Sequence, residues 1–443
     1  MLGPAATMVR HGFSIPRVHS AGAADGVMTG SGPSGETGMN RQFRRIFWRP
    51  PRAHGEAIED RSVSFLELFY DLVYVVVIAR AAHTLADDVT WQGAGEFAVI
   101  FGLIWVAWLN GSLYYEAHGR EDGRTRVFVF IQMMLLVLLA VFTGDAAGEG
   151  GTGFAVVYTA YLVVLTWLWY TVRRQDSEEY MAITGRYLTG MVTLIVVMGV
   201  SAFLPDSPRM LVWAGLLVAY IVSSILIFSS ADPAATAGMR PTDSLVERFG
   251  LFTIIVLGEV VVGVVDGLSE VDRNVSAVAT ALFGLAIGFA FWWTYFDFVG
   301  RRLPKPLAWD MVGWMNLHLP VTMSIAATGA ALVSLIEHSG DDRAPKPTAW
   351  LLTGAVALGL VALVFLMRRL ADYDRVPELY RPVSAALVTG AVAVLLVGWL
   401  RPTPWILSLA VVAILSAVWI FSVDRWLRLD DPAAALPEGA SEL

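Results

Sequence analysis

Between Val63 and Val423 the sequence keeps returning to runs of about 20 mostly apolar residues, each broken by a short polar turn. Wound as an α-helix at ~1.5 Å per residue, one such run matches the ~30 Å thickness of a bilayer's hydrocarbon layer. A water-soluble chain hides one or two of these runs in a core, not a dozen. Composition agrees: apolar residues fill 56% of 443 positions, charged residues 16%, and the mean hydropathy is +0.60. That leaves too little polar surface for several soluble domains. The expected fold class is all-α, a polytopic transmembrane helix bundle whose first partner is the lipid bilayer.

Runs long enough to span fall near 63–86, 97–116, 127–144, 153–172, 183–204 and 210–230, then 246–266, 275–299, 310–337, 348–367, 384–400 and 402–423. Only Arg401 and Pro402 separate the last two. Lys and Arg mark the cytoplasmic side, and acidic residues contribute little to that rule. With the N-terminus inside, the inner segments hold Arg120, Arg124, Arg173, Arg301, Arg302, Arg368 and their neighbours, against Arg209, Arg273, Arg343, Lys346 and Arg401 outside. Both termini are therefore expected in the cytoplasm, with an even number of spans, about 12. Residues 1–60, rich in Gly, Ala, Ser and Arg and lacking the apolar run of a cleaved signal, read as a disordered cytoplasmic tail. Residues 426–443 read as a second cytoplasmic tail.

Charge and motifs exclude more than they identify. The net charge of -8 is spread over loops and tail, names no partner and argues against nucleic acid. With no Cys, disulfides, thiolate metal sites and cysteine nucleophiles are ruled out. Gly148 to Gly153 fits G-x-G-x-x-G, but in an expected outer loop with no strand before it, and no Walker, H-E-x-x-H or G-x-S-x-G string occurs. No metal, no cofactor and no enzymatic activity are expected.

The sequence also repeats itself. Ser64, Glu67 and Phe69 recur at identical spacing as Ser244, Glu247 and Phe249. Tyr114-Tyr115-Glu116 followed by Gly119-Arg120 recurs as Tyr295-Phe296-Asp297 followed by Gly300-Arg301. Residues 61–232 and 243–425 thus read as two six-helix repeats entering the membrane from the same side, related by a pseudo-twofold axis along its normal.

An ionisable residue inside a span needs a partner, a wet cavity or a function. Glu67 and Asp71, four residues apart on one face of the first span, are candidates for binding a proton or cation. Glu259 lies deep in the seventh span, and its repeat-equivalent lies beside Arg80, so these two are expected to pair across the pseudo-symmetry axis. His318, two residues before Pro320, is a candidate relay or ion-site member, or a hydrogen-bonded core histidine. Glu116 with Arg120 and Asp297 with Arg301 are expected as i,i+4 pairs anchoring helix ends. Asn110 and Gln132 join the same polar layer. The Trp residues and the Gly284, Gly288 pair read as packing elements.

Val63-Ser64-Phe65-Leu66-Glu67-Leu68-Phe69-Tyr70-Asp71-Leu72-Val73-Tyr74 resembles the opening motif of the bacterial low temperature requirement protein A family. The resemblance continues through Glu247-Arg248-Phe249-Gly250, Leu257-Gly258-Glu259, Trp292 to Asp297 and His318-Leu319-Pro320. It implies a bacterial cytoplasmic membrane protein, and a family name that records a cold-growth phenotype and not an activity. Phe69-x-Asp71-x-Val73-Tyr74 also resembles the first-helix motif of the lysosomal potassium channels, although the second copy has Leu251 in place of the Asp. A secondary transporter or ion-coupled permease is the leading expectation, with Glu67, Asp71, Glu259 and His318 binding or relaying the coupling ion. The alternatives are a cation channel, a membrane-embedded enzyme and a non-catalytic scaffold. The sequence sets neither the substrate nor the oligomeric state.

Overall fold

The computed structural model describes residues 47–54, 56, 61–175, 177–229 and 242–429; the remaining parts of both expected tails lie outside the described residues. Among the described residues the chain forms 13 helices and no strands. The first six are α1 (Phe65–Asp87), α2 (Trp91–His118), α3 (Gly123–Thr143), α4 (Gly151–Arg173), α5 (Glu178–Ser201) and α6 (Asp206–Ser229). Then come α7 (Asp243–Glu270), α8 (Val275–Phe298), α9 (Ala308–Glu337), α10 (Lys346–Met367), the short α11 (Ala371–Arg375), α12 (Pro377–Leu400) and α13 (Pro404–Leu427). Eleven are long and apolar enough to cross a membrane. The other long one, α1, has the length but carries Glu67, Asp71 and Arg80.

Short polar residues set where these helices start. Ser64, Thr90, Asp122, Thr242 and Asn274 each accept a backbone N–H from the first turn of the helix they precede. Pro occupies the first turn of α10, α12 and α13, where no intrahelical N–H is required. The tight reversal between α12 and α13 is made by Arg401 in the left-handed region, φ 51°, with its Nε donating to the Ala344 carbonyl at 2.9 Å.

In the first six helices, α1 packs on α2 and α3, α3 on α4, α4 on α5, α5 on α6, and α6 on α2. In the later set, α7 packs on α8 and α9, α9 on α10, α10 on α12, α12 on α13, and α13 on α8. The sets meet where α9 lies against α1, α2 and α6, and where α7 meets α1 and α2. Burial follows: the most apolar windows of α9 and α2 are 89% and 83% buried, while Phe65, Val141 and Phe203 stand exposed as lipid-facing residues do. The α7–α9 crossing is closed by glycine, since a methyl at Gly329 would lie 2.7 Å from the Glu259 carbonyl oxygen.

Residues 47–54 depart from the tail expected of them. Arg52 is buried; its backbone N–H donates to the His118 carbonyl, and its guanidinium to the carbonyls of Glu116 and Gly119. The end of α2 leaves carbonyls without intrahelical donors, and an arginine from outside the bundle satisfies them.

Candidate functional site

The charged residues at the start of α1 come together with Arg248 and Trp108. Ser64 and Glu67 form a capping box: the Glu67 N–H donates to Ser64 Oγ at 3.3 Å, and the Ser64 N–H to Glu67 Oε2 at 3.0 Å. The other Glu67 oxygen accepts from Arg61 at 2.5 Å and from Arg248 at 3.4 Å. One turn deeper, Asp71 is fully buried and gripped by the Arg248 fork, Nη2 to Oδ1 at 2.9 Å and Nε to Oδ2 at 3.2 Å. The Trp108 indole donates to the same Oδ1 at 2.9 Å and stacks on Phe252, ring centroids 3.9 Å apart. The Tyr70 ring lies beneath the guanidinium, 5.9 Å from its centroid.

Arg61 extends the cluster outward. It pairs with Glu116 as well as Glu67, and Glu116 also accepts from Ser244 Oγ at 2.8 Å and Thr242 Oγ1 at 2.7 Å. Burial pulls the Arg61 guanidinium below its ordinary value, and Glu67 draws it part of the way back. Two guanidiniums and three carboxylates therefore knit α1, the end of α2 and the start of α7. Arg248, a cation of the chain itself, fills the position between Glu67 and Asp71 that a bound ion would need.

Arg80 and Glu259 are not brought together. Arg80 is exposed, with its guanidinium against Gly144. Glu259 is buried in α7, and its Oε1 has no hydrogen-bond partner. His318 is a satisfied core residue. Its Nδ1 meets the Trp314 carbonyl at 2.8 Å, which only accepts, so Nδ1 carries the proton and Nε2 accepts from the Tyr295 hydroxyl at 3.0 Å.

The expected end pairs do not form either. Glu116 turns to Arg61, while Arg120, past the end of α2, bonds Glu56 at 2.7 Å. Asp297 accepts from the Trp419 indole at 3.2 Å, and Arg301, three residues beyond α8, has φ 63° and leaves the helical path. The i,i+4 rule requires both residues to share a helix. Gln132 accepts from Tyr115 at 2.6 Å, and Gly284 and Gly288 admit Leu332 and Val260 in close packing.

A cavity of about 940 Å³ opens at the helix ends where this charge cluster lies, bounded by α2, α5, α6 and α9. Arg61 and Glu116 stand at its rim; Asp71, Glu259 and His318 are not on its wall. Its interior carries Asn110, Tyr187, Tyr220 and Asn316. Asn110 and Asn316 each lie eight residues from the near helix end, so about 12 Å deep. Tyr187 donates to Asn110 Oδ1 at 2.6 Å, and Asn110 Nδ2 to the Tyr220 hydroxyl at 2.8 Å. Toward the far ends of α4, α5 and α6, Trp213 and Phe154 are fully buried with ring centroids 5.0 Å apart, and the Trp213 indole donates to Ser201 at 2.8 Å. Among the described residues no group of His, Asp or Glu is arranged to hold a metal ion.

These features define a polytopic helical membrane protein with a solute-sized cavity and a dry ion-pair cluster beside its entrance. Residues 62–418 match the family of the bacterial low temperature requirement A protein (LtrA), and the chain belongs to that family. An uncharacterized protein of Rhizobium meliloti (strain 1021) is 25% identical over 286 residues, covering 62% of this chain and 69% of the relative. No solved structure matches the chain.

Proposed function

We propose that this protein is a secondary transporter that takes its substrate into the cavity between α2, α5, α6 and α9. The observation that carries the reading is the cavity itself, about 940 Å³, open at one end and backed by Trp213, Phe154 and Ser201 toward the other. A site reached from one side and closed by side-chain packing on the other is what alternating access requires. The two helix sets are read as like-oriented six-helix repeats, because the neighbour scheme of α1 to α6 recurs in α7 to α10, α12 and α13. The rim shares its end of the bundle with Arg120, Arg124, Arg173 and Arg302, so by charge bias the cavity faces the cytoplasm of a bacterial inner membrane. Glu259, buried with an unpartnered oxygen at the α7–α9 crossing, is the carboxylate assigned to proton coupling. Asp71 is already neutralised by Arg248, which disfavours a cation pore along α1.

The chain's lack of Cys makes the test direct. In oriented vesicles, Ser223→Cys, on the cavity wall, should react with a membrane-impermeant maleimide from the rim side only. Ser201→Cys, fully buried, should react slowly from the opposite side, and faster whenever Ser223→Cys becomes protected. Reaction of Ser201→Cys from neither side under any imposed gradient, or single-channel currents from the reconstituted protein, refutes alternating access.

A further inference from the structure

The distribution of charge around the cavity points to its substrate class. Among the described residues, every ionisable acid, base or imidazole on its wall belongs to the rim: Glu116 and His118 in the last turn of α2, Asp243 in the first turn of α7, and Arg52, His54, Glu56 and Arg61. Most of these charges are already committed. Arg61 is held by Glu67 and Glu116, Arg52 by backbone carbonyls, and Glu56 by Arg120, leaving Asp243 exposed. Below the rim the described residues of the wall are all neutral. A charged solute drawn there would lose its water and meet no counter-ion, a cost of several kcal/mol for each ion.

The neutral wall has two parts. Leu109, Leu113, Leu194 and Leu216 give it an apolar surface, and Met191, Met311 and Met315 add side chains that adapt to varied shapes. Against this surface, below the rim, stand Tyr220 and Asn316, neither of which has spent its full hydrogen-bonding capacity. The Tyr220 hydroxyl accepts from Asn110, so its own proton remains free to donate. Asn316 spends its Nδ2 on Ser224 and the Val312 carbonyl, and its Oδ1 acceptor has no partner. A donor at Tyr220 beside a buried, unpartnered acceptor at Asn316, which a small turn of the amide would present, matches a hydroxyl or amide group attached to an apolar body.

We infer that the substrate is an uncharged amphiphile, with one hydroxyl- or amide-type head bound between Tyr220 and Asn316 and an apolar body on the leucine and methionine wall. This rests on the transporter reading for its cavity but not for its test, which reads binding alone. In nanodiscs, Ser223→Cys labelling by an impermeant maleimide is followed in the presence of decanol, decanoate or decylammonium, which share a chain and differ in head charge. Decanol should slow labelling at a concentration at least about tenfold lower than either ion. In the Tyr220→Phe background the decanol concentration needed should rise about two- to tenfold, the worth of one hydrogen bond. Ser269→Cys, exposed near the far end of α7, should label at an unchanged rate.

Equal or better protection by decanoate overturns the inference, and so does protection by decylammonium, which would assign the site to Asp243 at the rim. Failure of saturating decanol to protect Ser223→Cys also overturns it, as does equal slowing at Ser269→Cys, which would mark simple partition into the bilayer. None of these results touches the two-sided labelling of Ser201→Cys, on which the transporter reading stands separately.

Discussion

Arg248→Leu removes the cation that answers two buried carboxylates, Asp71 at 2.9 Å and Glu67 at 3.4 Å. At an effective dielectric of about 20, the Asp71 contact alone represents a Coulomb attraction of ~6 kcal/mol. Desolvation of the two ions offsets most of that, so the intact pair adds little net stability. Deleting one partner is another matter. Asp71 would stay fully buried with the Trp108 indole as its remaining side-chain donor, and Arg61 is already engaged by Glu67 and Glu116. The expected loss is ~3–5 kcal/mol. Adding Asp71→Leu removes the stranded charge, while Glu67 keeps Arg61, so the double variant should recover most of the loss, with a coupling energy of ~2–4 kcal/mol. Reversible unfolding by SDS in mixed micelles, followed by circular dichroism, measures all three stabilities. A single variant that loses under ~1 kcal/mol, or a double variant no better than the single, refutes the view that this cluster is a closed, dry ion pair.

Two other side chains separate a coupling role from a structural one. Glu259→Gln should leave folding nearly unchanged, because an amide replaces a carboxylate whose Oε1 has no partner, yet it should abolish any pH dependence of Ser201→Cys labelling. A Glu259→Gln protein whose labelling still follows pH assigns coupling elsewhere. His318→Phe should cost ~1–3 kcal/mol by removing the imidazole acceptor of the Tyr295 hydroxyl, while leaving Ser223→Cys labelling intact, since His318 does not line the cavity. Normal stability with lost two-sided access in that variant would instead make His318 part of the relay.

The helices were legible in the sequence because bilayer thickness and backbone satisfaction together fix the length of an apolar run, and because Ser64, Thr90, Asp122, Thr242 and Asn274 are visible as caps. The partners of the polar residues were not legible. Helical periodicity gives the face on which Asp71 lies but not which helix covers that face, so neither Arg248 nor Trp108 could be named beforehand. Composition put residues 47–54 in a tail, whereas Arg52 is recruited by carbonyls that exist only once α2 has ended at His118. Glu116 and Arg120 have the spacing of a helical pair, but the helix stops between them. The cavity gave no local signal at all. Asn110, Tyr187, Tyr220 and Asn316 come from four helices, and each alone reads as an ordinary interhelical polar residue.

Buried charges do neutralise each other between the two helix sets, but at another height in the bundle than Arg80 and Glu259. The expected repeat singles out Arg80 and Glu259 as charges that one helix set has and the other lacks. The same offset that relates Ser64 to Ser244 relates Leu68 to Arg248 and Asp71 to Leu251, and it is Asp71 and Arg248, on the adjacent helices α1 and α7, that neutralise each other. Glu259 is thereby left as the deep acid of α7 without a counter-charge, away from the cavity. On the proposed reading, a proton arriving at Glu259 acts on the cavity through the helices that join the two: α7 itself, whose first turn carries Asp243 on the wall, and the neighbouring α9. Its Gly329 lies against the Glu259 backbone, and its Asn316 lies on the cavity wall. Between them stands Pro320, which has no N–H to give the Asn316 carbonyl and so removes one rung of the α9 ladder at a residue on the cavity wall. A helix with a weakened rung there can tilt one half against the other at low cost, which makes the α9 segment around Pro320 the hinge through which protonation at one end would change access at the other.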